Sequence, residues 1–350
     1  MPTAESPRHS AVLTVSRVIE ETDDARSLVF DVPDDEWTRF QYRPGQFLTL
    51  RIPSDRTGSV ARCYSLASSP HTDEELKVTV KRTVDGYGSN WLCDNVTAGD
   101  SMEVLPPSGV FSPHDLDQDF LPWAAGSGIT PIMSILKSVL VAGAGRVVLI
   151  YANRDECAVI FGTELLSLAG RYPERLIVIH WLETLQGLPS TPAMAAIASQ
   201  FPDRASFICG PAPFMDAVQA GLAEAAVPRA QIHREVFTSL RGNPFVDPPA
   251  AASVTEAADA DAVDVEVLLD GDTHRLRWPR DRNLVEVMIS AGIDVPYSCR
   301  EGQCGSCAAT VVEGRVEMGV CDILEPEDIA EGLVLTCQAR PLSDPVRVEF

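Results

Sequence analysis

Four cysteines near the C-terminal end of the chain have a spacing that is typical of metal ligands. Cys299, Cys304 and Cys307 form the pattern C-x4-C-x2-C, and Cys337 follows after an apolar, strand-like stretch. This is the ligand pattern of a plant-type 2Fe-2S cluster, and glycines in the loop let backbone amides approach the cluster sulfurs. Because such a cluster does one-electron chemistry, the rest of the chain should contain a site that gives it electrons or takes them away.

Other roles for the cysteines are less favoured. Structural zinc also takes four cysteines, but usually as two close pairs, whereas here three ligands sit together and the fourth is solitary. The nine cysteines are an odd count in a long chain, which disfavours a disulfide framework. Cys321 competes with Cys337 as the fourth ligand, and the strand-like run before Cys337 favours the latter. Cys63, Cys93 and Cys157 fall at no ligand spacing, and we expect each to be a small buried hydrophobic residue.

Two short motifs in the first third of the chain suit a flavin dinucleotide. The sequence R-C-Y-S at 62–65 ends a strand-like stretch, and G-Y-G-S at 86–89 opens a helical turn. An arginine and helix-terminal amides suit a pyrophosphate, a tyrosine suits the isoalloxazine face, and a serine suits its reactive edge. Either motif alone is weak, because Tyr64 could be an aromatic at the edge of the core and Arg62 a surface charge.

Two turns in the middle of the chain suit a nicotinamide dinucleotide. The sequence G-S-G-I-T-P at 126–131 follows an apolar strand and opens a helix, with Pro131 in the first turn, where proline is tolerated. Its amides would face an anion, although the turn is not the standard G-x-G-x-x-G. The sequence C-G-P at 209–211 ends a later parallel strand, where ligands of open α/β sheets lie. Cys209 there suits contact with a nicotinamide, or is a packing residue.

The elements that position these motifs fall into three blocks and a linker. Residues 8–114 contain alternating apolar and polar strands, which predict a small antiparallel β-barrel or sandwich that carries the two flavin motifs. Residues 115–238 alternate buried strands with helices, which predicts a doubly wound α/β domain that binds NAD(P). Residues 239–262 lack periodic apolar positions and are expected to be a flexible linker. Residues 263–350, with a hairpin, a helix and the cysteine loop, predict a small α+β, β-grasp-like ferredoxin domain.

Composition narrows the class of protein. The chain has 350 residues and 45% hydrophobic content, enough to bury substantial cores. Its formal net charge of -22 argues against a nucleic-acid partner. No segment approaches the roughly 20 consecutive apolar residues of a membrane helix, and the N-terminus shows no signal-like pattern, so we expect a cytoplasmic protein without a membrane partner. Acidic residues around the cysteine loop either steer a basic partner protein or serve solubility only.

The motifs together resemble the ferredoxin-NADP reductase superfamily, in its branch with a ferredoxin domain fused after the reductase. The resemblance covers nearly the whole chain. Finer stretches, including Y-A-N-R-D at 151–155, H-W-L-E at 180–183 and C-R-E-G at 299–302, are similar to the reductase components of bacterial 3-ketosteroid 9α-hydroxylases, with phenylacetyl-CoA epoxygenase reductases as cousins. The resemblance implies a monomeric enzyme that passes electrons from NADH through FAD and a 2Fe-2S cluster to a separate Rieske-type oxygenase in steroid degradation.

The resemblance also implies a set of site residues. The residues expected to hold FAD are Arg62, Cys63, Tyr64, Ser65, Val80, Lys81, Gly86, Gly88 and Ser89. Those expected around the nicotinamide dinucleotide are Gly126, Ser127, Gly128, Thr130, Asn153, Arg154, Cys209, Gly210 and Pro211. Tyr64, Ser65, Cys209 and Phe237 are expected at the reacting rings, although the chain continues past Phe237 where many relatives end at an aromatic residue. Arg154 could meet a 2'-phosphate, contact the pyrophosphate or be a surface charge, and the resemblance favours NADH over NADPH.

Two alternative functions stay open from the sequence. One keeps the reductase but places it with a phenylacetyl-CoA epoxygenase or an aromatic ring hydroxylase, because the oxygenase and not this chain would select the substrate. The other is a non-catalytic iron-sulfur electron carrier, in which the first two blocks only scaffold the cluster. The two nicotinamide turns argue against the carrier.

Overall fold

The computed structural model describes residues 10–237, 240, 242–245, 262–269, 271–293, 295–297, 299–319, 321, 323–324 and 326–350. Most of the predicted linker at 239–262 therefore lies outside the described residues. Its described part is packed, since Leu240 and Phe245 are both buried.

The first block is an antiparallel barrel of six strands. The strands are β1 (Ala11–Thr22), β2 (Ala25–Asp31), β3 (Phe47–Ser54), β4 (Gly58–Ser65), β5 (Leu76–Lys81) and β6 (Ser101–Ser108). They follow the order β4-β3-β6-β1-β2-β5, and a bridge between Leu66 and Val78 joins the two edges. Alternate residues such as Leu13 and Val15 on β1 fill the interior, as the period of two in a strand requires. Helix α1 (Tyr87–Asn95) also packs on the barrel core through Leu92 and Cys93.

The second block is a parallel sheet with helices on both faces. Strands β7 (Trp123–Ala125), β8 (Val147–Asn153), β9 (Leu176–Leu182), β10 (Ser206–Cys209) and β11 (Ile232–Glu235) lie in the order β11-β10-β7-β8-β9. Its helices are α2 (Ile129–Ala142), α3 (Gly162–Arg171), α4 (Glu183–Gln186), α5 (Thr191–Ala198) and α6 (Ala212–Glu224). Helices α2 and α3 share one apolar cluster with the sheet, and α5 and α6 share another. The predicted doubly wound domain is confirmed, although its first strand is shorter than the apolar run at 120–125.

Helix α2 is held between this sheet and the barrel. Its residues from Ile129 to Leu140 are all buried, and Phe111 and Ala67 of the first block pack into the same cluster. The buried Lys137 ammonium lies 2.6 Å from a carboxylate oxygen of Asp73 and 3.2 Å from one of Glu164. The first two blocks are therefore joined through both apolar and ionic contacts.

The third block is a small mixed fold. Strands β12 (Val263–Leu269), β13 (Asp272–Trp278), β14 (Ala308–Glu313), β16 (Leu333–Leu335) and β18 (Val346–Glu349) form one sheet, and β15 (Val316–Met318) pairs with β17 (Ala339–Pro341). Helix α7 (Leu284–Ser290) begins where the Asn283 side chain accepts a hydrogen bond from the Glu286 amide at 3.1 Å. It packs against Trp278 in the core, and a short helix, α8 (Pro326–Ala330), precedes β16. No helix in the described parts of the chain is long and apolar enough to span a membrane.

Candidate functional site

The end of β4 and the start of α1 meet in the first block. A Cβ atom on Gly88 would lie 2.9 Å from Cγ of Arg62 and 3.0 Å from Cδ1 of Ile52, so glycine is what allows the arginine to lie this close to the helix start. The first amides of α1 have no partner inside the helix, and with the guanidinium they form a site suited to an anion. The structure thus brings together the two predicted flavin motifs.

The loop before α1 is ordered by one of the predicted residues. The Ser89 hydroxyl accepts a hydrogen bond from the Thr83 amide at 3.1 Å, and a Cβ on Gly86 would lie 2.9 Å from the same hydroxyl oxygen. Val80 is buried in β5, and the Lys81 ammonium lies 3.5 Å from an Asp24 carboxylate oxygen. These residues surround the end of the barrel where α1 begins.

Residues 63–65 present three different side chains at the end of β4. Burial raises the pKa of the Tyr64 hydroxyl, so that ring stays neutral. Ser65 is buried. The Cys63 sulfur lies 3.4 Å from the Thr49 hydroxyl, and burial raises the pKa of its thiol to about 12. Cys93 is buried as expected, whereas Cys63 is only partly buried. Cys157 is exposed, because it lies in a short surface turn capped by Asp155.

The two predicted nicotinamide turns touch each other. A Cβ on Gly128 would lie only 2.1 Å from the Cys209 carbonyl oxygen, and one on Gly210 would lie 2.9 Å from Cβ of Ala125. The contact arises because β7 and β10 are neighbours in the sheet and both turns leave its carboxyl edge. Gly126 has a φ of +52°, a left-handed conformation that favours glycine.

Hydrogen bonds fix the first of these turns. The Thr130 hydroxyl donates to the Ser127 carbonyl at 3.0 Å. The Tyr151 hydroxyl donates to the Gly126 carbonyl at 3.1 Å and accepts from the Ile160 amide at 3.2 Å. The turn is therefore rigid before any ligand binds, which lowers the cost of ordering it on binding.

Strand β8 ends beside this turn with two polar residues of different character. Asn153 is buried next to the Tyr151 hydroxyl, and its amide oxygen and nitrogen make no well-aligned hydrogen bond within the described part of the chain. An orphaned buried amide fits a polar group of a bound cofactor. Arg154 is exposed, and its guanidinium lies 3.6 Å from Asp24, the acid that also pairs with Lys81.

A cavity lies where the three blocks meet. Its lining combines flavin-site, nicotinamide-domain, linker and cysteine-loop residues: Phe47, Cys63, Ser65, Glu235, Val236, Phe237, Leu240, Gln303 and Cys304. Phe237 is half exposed there. Four predicted site residues, Cys63, Ser65, Phe237 and Cys304, therefore share one cavity.

Glu235 lines this cavity and is not among the site residues predicted from the sequence. It pairs with Cys209 in the β10–β11 ladder, and burial raises the pKa of its carboxyl to about 8. Its charge adds to burial in raising the pKa of the Cys209 thiol. The available signal was an acid inside the run I-H-R-E-V-F at 232–237, at the carboxyl edge of the sheet.

The four predicted ligands are arranged as two thiol pairs. Cys299 is hydrogen-bonded to Cys304, and Cys307 to Cys337. The Cys304 thiol and backbone amides lower the pKa of Cys299 to about 6, and the amides of Glu301 and Gln303 lie 3.3 and 3.4 Å from its sulfur. Two thiols for each of two iron atoms, with amides directed at sulfur, fit a 2Fe-2S cluster. Among the described residues, no group of three or more His, Cys, Asp or Glu side chains could hold a single metal ion.

Cys321 has a different hydrogen-bond partner from the four predicted ligands. Its sulfur accepts a hydrogen bond from the Leu324 amide at 3.3 Å. Cys337 is buried, two residues after the end of β16 and beside the cysteine loop. The arrangement supports Cys337 as the fourth ligand.

Three protein families match successive parts of the chain. A family described as an oxidoreductase FAD-binding domain matches residues 12–112, an oxidoreductase NAD-binding domain matches 123–220, and a 2Fe-2S iron-sulfur cluster binding domain matches 267–342. The three cofactor domains therefore follow one another in the order expected from the motifs.

Curated relatives match over the full length. The chain is 61% identical, over all of both chains, to the "3-ketosteroid-9-alpha-monooxygenase, ferredoxin reductase component" of Rhodococcus rhodochrous. It is 56% identical to the protein of the same description from Mycobacterium tuberculosis, over 98% of this chain and 96% of that one. It is 34% identical to one of the subunits of the 1,2-phenylacetyl-CoA epoxidase of Escherichia coli, over 97% of each chain.

A solved structure shares the three-part fold. Phthalate dioxygenase reductase, described as a modular structure for electron transfer from pyridine nucleotides to [2Fe-2S], superposes with a TM-score of 0.56 over 97% of this chain and 98% of that one, at 24% identity. The fold expected from the sequence is confirmed.

Proposed function

The chain belongs to the family of ferredoxin reductase components of monooxygenases, and we propose that it supplies electrons from NADH to the oxygenase of a 3-ketosteroid 9α-monooxygenase. It carries FAD-binding, NAD-binding and 2Fe-2S domains. The observation that carries the proposal is the shared cavity, because flavin-site, nicotinamide-domain and cysteine-loop residues line it together. Identity of 56–61% over the full length to reductases of that description supports the choice of partner.

The cofactors supply the redox chemistry: when bound, FAD takes a hydride from NADH and the 2Fe-2S cluster carries single electrons. The protein's part is to bind and orient them. We assign the FAD pyrophosphate to Arg62 and the first turn of α1, where Gly88 leaves the space that the arginine occupies. Tyr64 and Ser65 at the end of β4 would face the ring, and the neutral tyrosine adds no charge beside it.

We assign the nicotinamide dinucleotide to the paired turns at 126–128 and 209–211. Their close approach keeps side chains out of the gap, so backbone amides can meet the ligand. Asn153 would give its unpaired amide to the same ligand. Cys209, fully buried and neutral, would contact the nicotinamide, while Phe237 would lie near the flavin ring.

We propose NADH as the electron donor in preference to NADPH. Arg154, the cation that could meet a 2'-phosphate, is already engaged by Asp24. The carboxylate would repel a second anion while it neutralises the guanidinium. Replacing Arg154 with alanine should then leave NADH turnover nearly intact, and a large loss would contradict this assignment.

We assign the cluster to Cys299, Cys304, Cys307 and Cys337. The two thiol pairs and the amides around Cys299 support this set. The partner would be a separate oxygenase of Rieske type, and the reductase would act as a monomer.

The test is reconstitution with purified oxygenase components. With NADH, this chain and a 3-ketosteroid oxygenase, we expect 9α-hydroxylated steroid in proportion to the NADH consumed, and slower turnover with NADPH. Equal or faster turnover with the oxygenase of a phenylacetyl-CoA epoxidase would move the chain to the function of its 34% identical relative. Failure with every oxygenase, despite reduction of both cofactors, would overturn the partner assignment.

A further inference from the structure

A short stretch after the reductase is wedged between the barrel and the cysteine loop. Leu240 and Phe245 are 6% and 3% exposed, and they share an apolar cluster with Ala61 on β4, Leu105 on β6 and the ligand Cys299. The sequence predicted this region as linker, and linker residues without a role do not bury large side chains against two domains. We call residues 242–245 the clasp.

The clasp is bonded to the barrel through one side chain. The Asn243 amide nitrogen donates to the Ser59 hydroxyl at 2.8 Å and to the Ser59 carbonyl at 3.2 Å. The Asn243 amide oxygen accepts from the Phe245 backbone amide at 3.1 Å, which fixes the turn that directs Phe245 inward. Arg51 donates to the same Ser59 hydroxyl at 3.1 Å, so the anchoring serine is itself held by the barrel.

The clasp is bonded to the cysteine loop from its other side. The Gly242 amide donates to the Glu301 carboxylate, two residues after Cys299. The loop also meets the barrel directly, since the Ser306 and Ser108 hydroxyls are hydrogen-bonded. A Cβ on Gly305 would lie 3.2 Å from the Val110 side chain, so the loop backbone approaches the barrel closely at this point.

The docked loop presents one ligand to the cavity. Cys299, Cys307 and Cys337 are buried, whereas Cys304 is partly exposed and lines the cavity together with Ser65 and Phe237. The least covered ligand of the loop is therefore the one that faces the assigned flavin site.

We propose that Asn243 and Phe245 are positioning residues for electron passage from the flavin site to the cysteine loop. The proposal rests on the proposed function. A hydride from NADH brings two electrons, which leave singly through the cluster to an external one-electron acceptor, so no covalent bond is made or broken at the clasp. Asn243 and Phe245 act through the loop, by keeping its Cys304 side against the cavity. Asn243 is bonded to Ser59, and Phe245 packs with Ala61, Leu105 and Cys299, none of which is assigned to the nicotinamide turns or the pyrophosphate.

The test compares Phe245→Ala with the full-length wild type by anaerobic stopped-flow absorption after mixing with NADH. We expect the rate of hydride transfer to stay within about twofold, while reduction of the cluster slows by roughly tenfold or more, equivalent to about 1.4 kcal/mol. Asn243→Ala should give the same pattern, and serves if Phe245→Ala folds poorly. Leu342→Ala, at an exposed apolar position in the ferredoxin domain, is the matched control and should change neither rate.

A structural readout accompanies the kinetics. Small-angle X-ray scattering of the holoprotein should show a larger radius of gyration for Phe245→Ala than for wild type, with an unchanged electron paramagnetic resonance signal of the dithionite-reduced cluster. Unchanged cluster reduction together with an unchanged radius in both clasp variants would overturn the proposal. If NADH bleached neither cofactor in the wild type, the proposed function would fail instead, and the scattering comparison would still decide whether the clasp holds the domains together.

Discussion

Replacing Glu235 with glutamine tests whether the carboxyl at the end of β11 remains protonated near neutral pH. Burial raises its pKa from 4.5 to about 8. Between these values the folded protein keeps a proton that the unfolded chain has released, so the free energy of unfolding falls as the pH rises from 4.5 towards 8. Above the folded pKa both states are ionised, and the dependence ends. Glutamine cannot ionise and should abolish this contribution.

The size of the change in the free energy of unfolding follows from the pKa shift of Glu235. One pKa unit corresponds to about 1.4 kcal/mol, and integration from about pH 5.5 to about pH 8.5 gives roughly 3 kcal/mol. Glu235 is only partly buried as a residue, so screening by solvent should reduce the measured value to about 1–3 kcal/mol.

The assay is urea unfolding of the FAD-loaded protein at both pH values, followed by flavin fluorescence. Wild type should lose more stability than Glu235→Gln on going to the higher pH. The exposed Glu313, changed to glutamine, provides a control that should behave like wild type. The same pH dependence in wild type and Glu235→Gln would refute the reasoning that burial holds the proton on this carboxyl.

Three further predictions concern the nicotinamide turn, the cluster and the domain interface. Gly128→Ala should abolish bleaching of the flavin by NADH while FAD stays bound, because its Cβ would lie 2.1 Å from the Cys209 carbonyl oxygen. Gly170→Ala, whose Cβ would meet no atom within 4 Å, should bleach at the wild-type rate. Equal bleaching rates for the two variants in stopped-flow assays would contradict this prediction. Cys337→Ser should lose the cluster absorption and Cys321→Ser should keep it, and the reverse result would exchange their roles. Lys137→Ala should lower the free energy of unfolding by about 3–5 kcal/mol, since it removes a buried cation from its carboxylates. The exposed pair partner Arg275, changed to alanine, should cost less than about 1 kcal/mol, and similar urea midpoints for the two would count against a structural role of Lys137.

Local patterns in the sequence predicted much of the fold. Alternating residues identified β1, β2, β3 and β5, and apolar runs identified β8, β9 and β10. Strands β8 and β10 are buried as expected, whereas β9 is largely exposed because it lies at the edge of the sheet. The C-x4-C-x2-C spacing and the two glycine turns predicted loops whose geometry depends on only a few adjacent residues. The two glycine turns come together in the structure because the parallel order of the sheet brings the ends of β7 and β10 side by side.

Features that depend on distant contacts were missed. Glu235 lines a cavity formed by residues that are far apart in sequence, so the run I-H-R-E-V-F could show only that an acid lies at the sheet edge, and not its surroundings. Leu240 and Phe245 are isolated apolar residues among glycine and proline, so their packing could not be read from periodicity. Cys157 was expected to be buried from its residue type, yet its position in a capped surface turn decides its exposure.

The central claim is that this chain converts the two electrons of NADH into single electrons through a flavin and a 2Fe-2S cluster. It is tested most directly by the absorption spectrum of the anaerobic purified protein before and after titration with NADH. We expect flavin and iron-sulfur bands that both bleach. A protein that is colourless after careful reconstitution, or coloured but unchanged by NADH and NADPH alike, would contradict it.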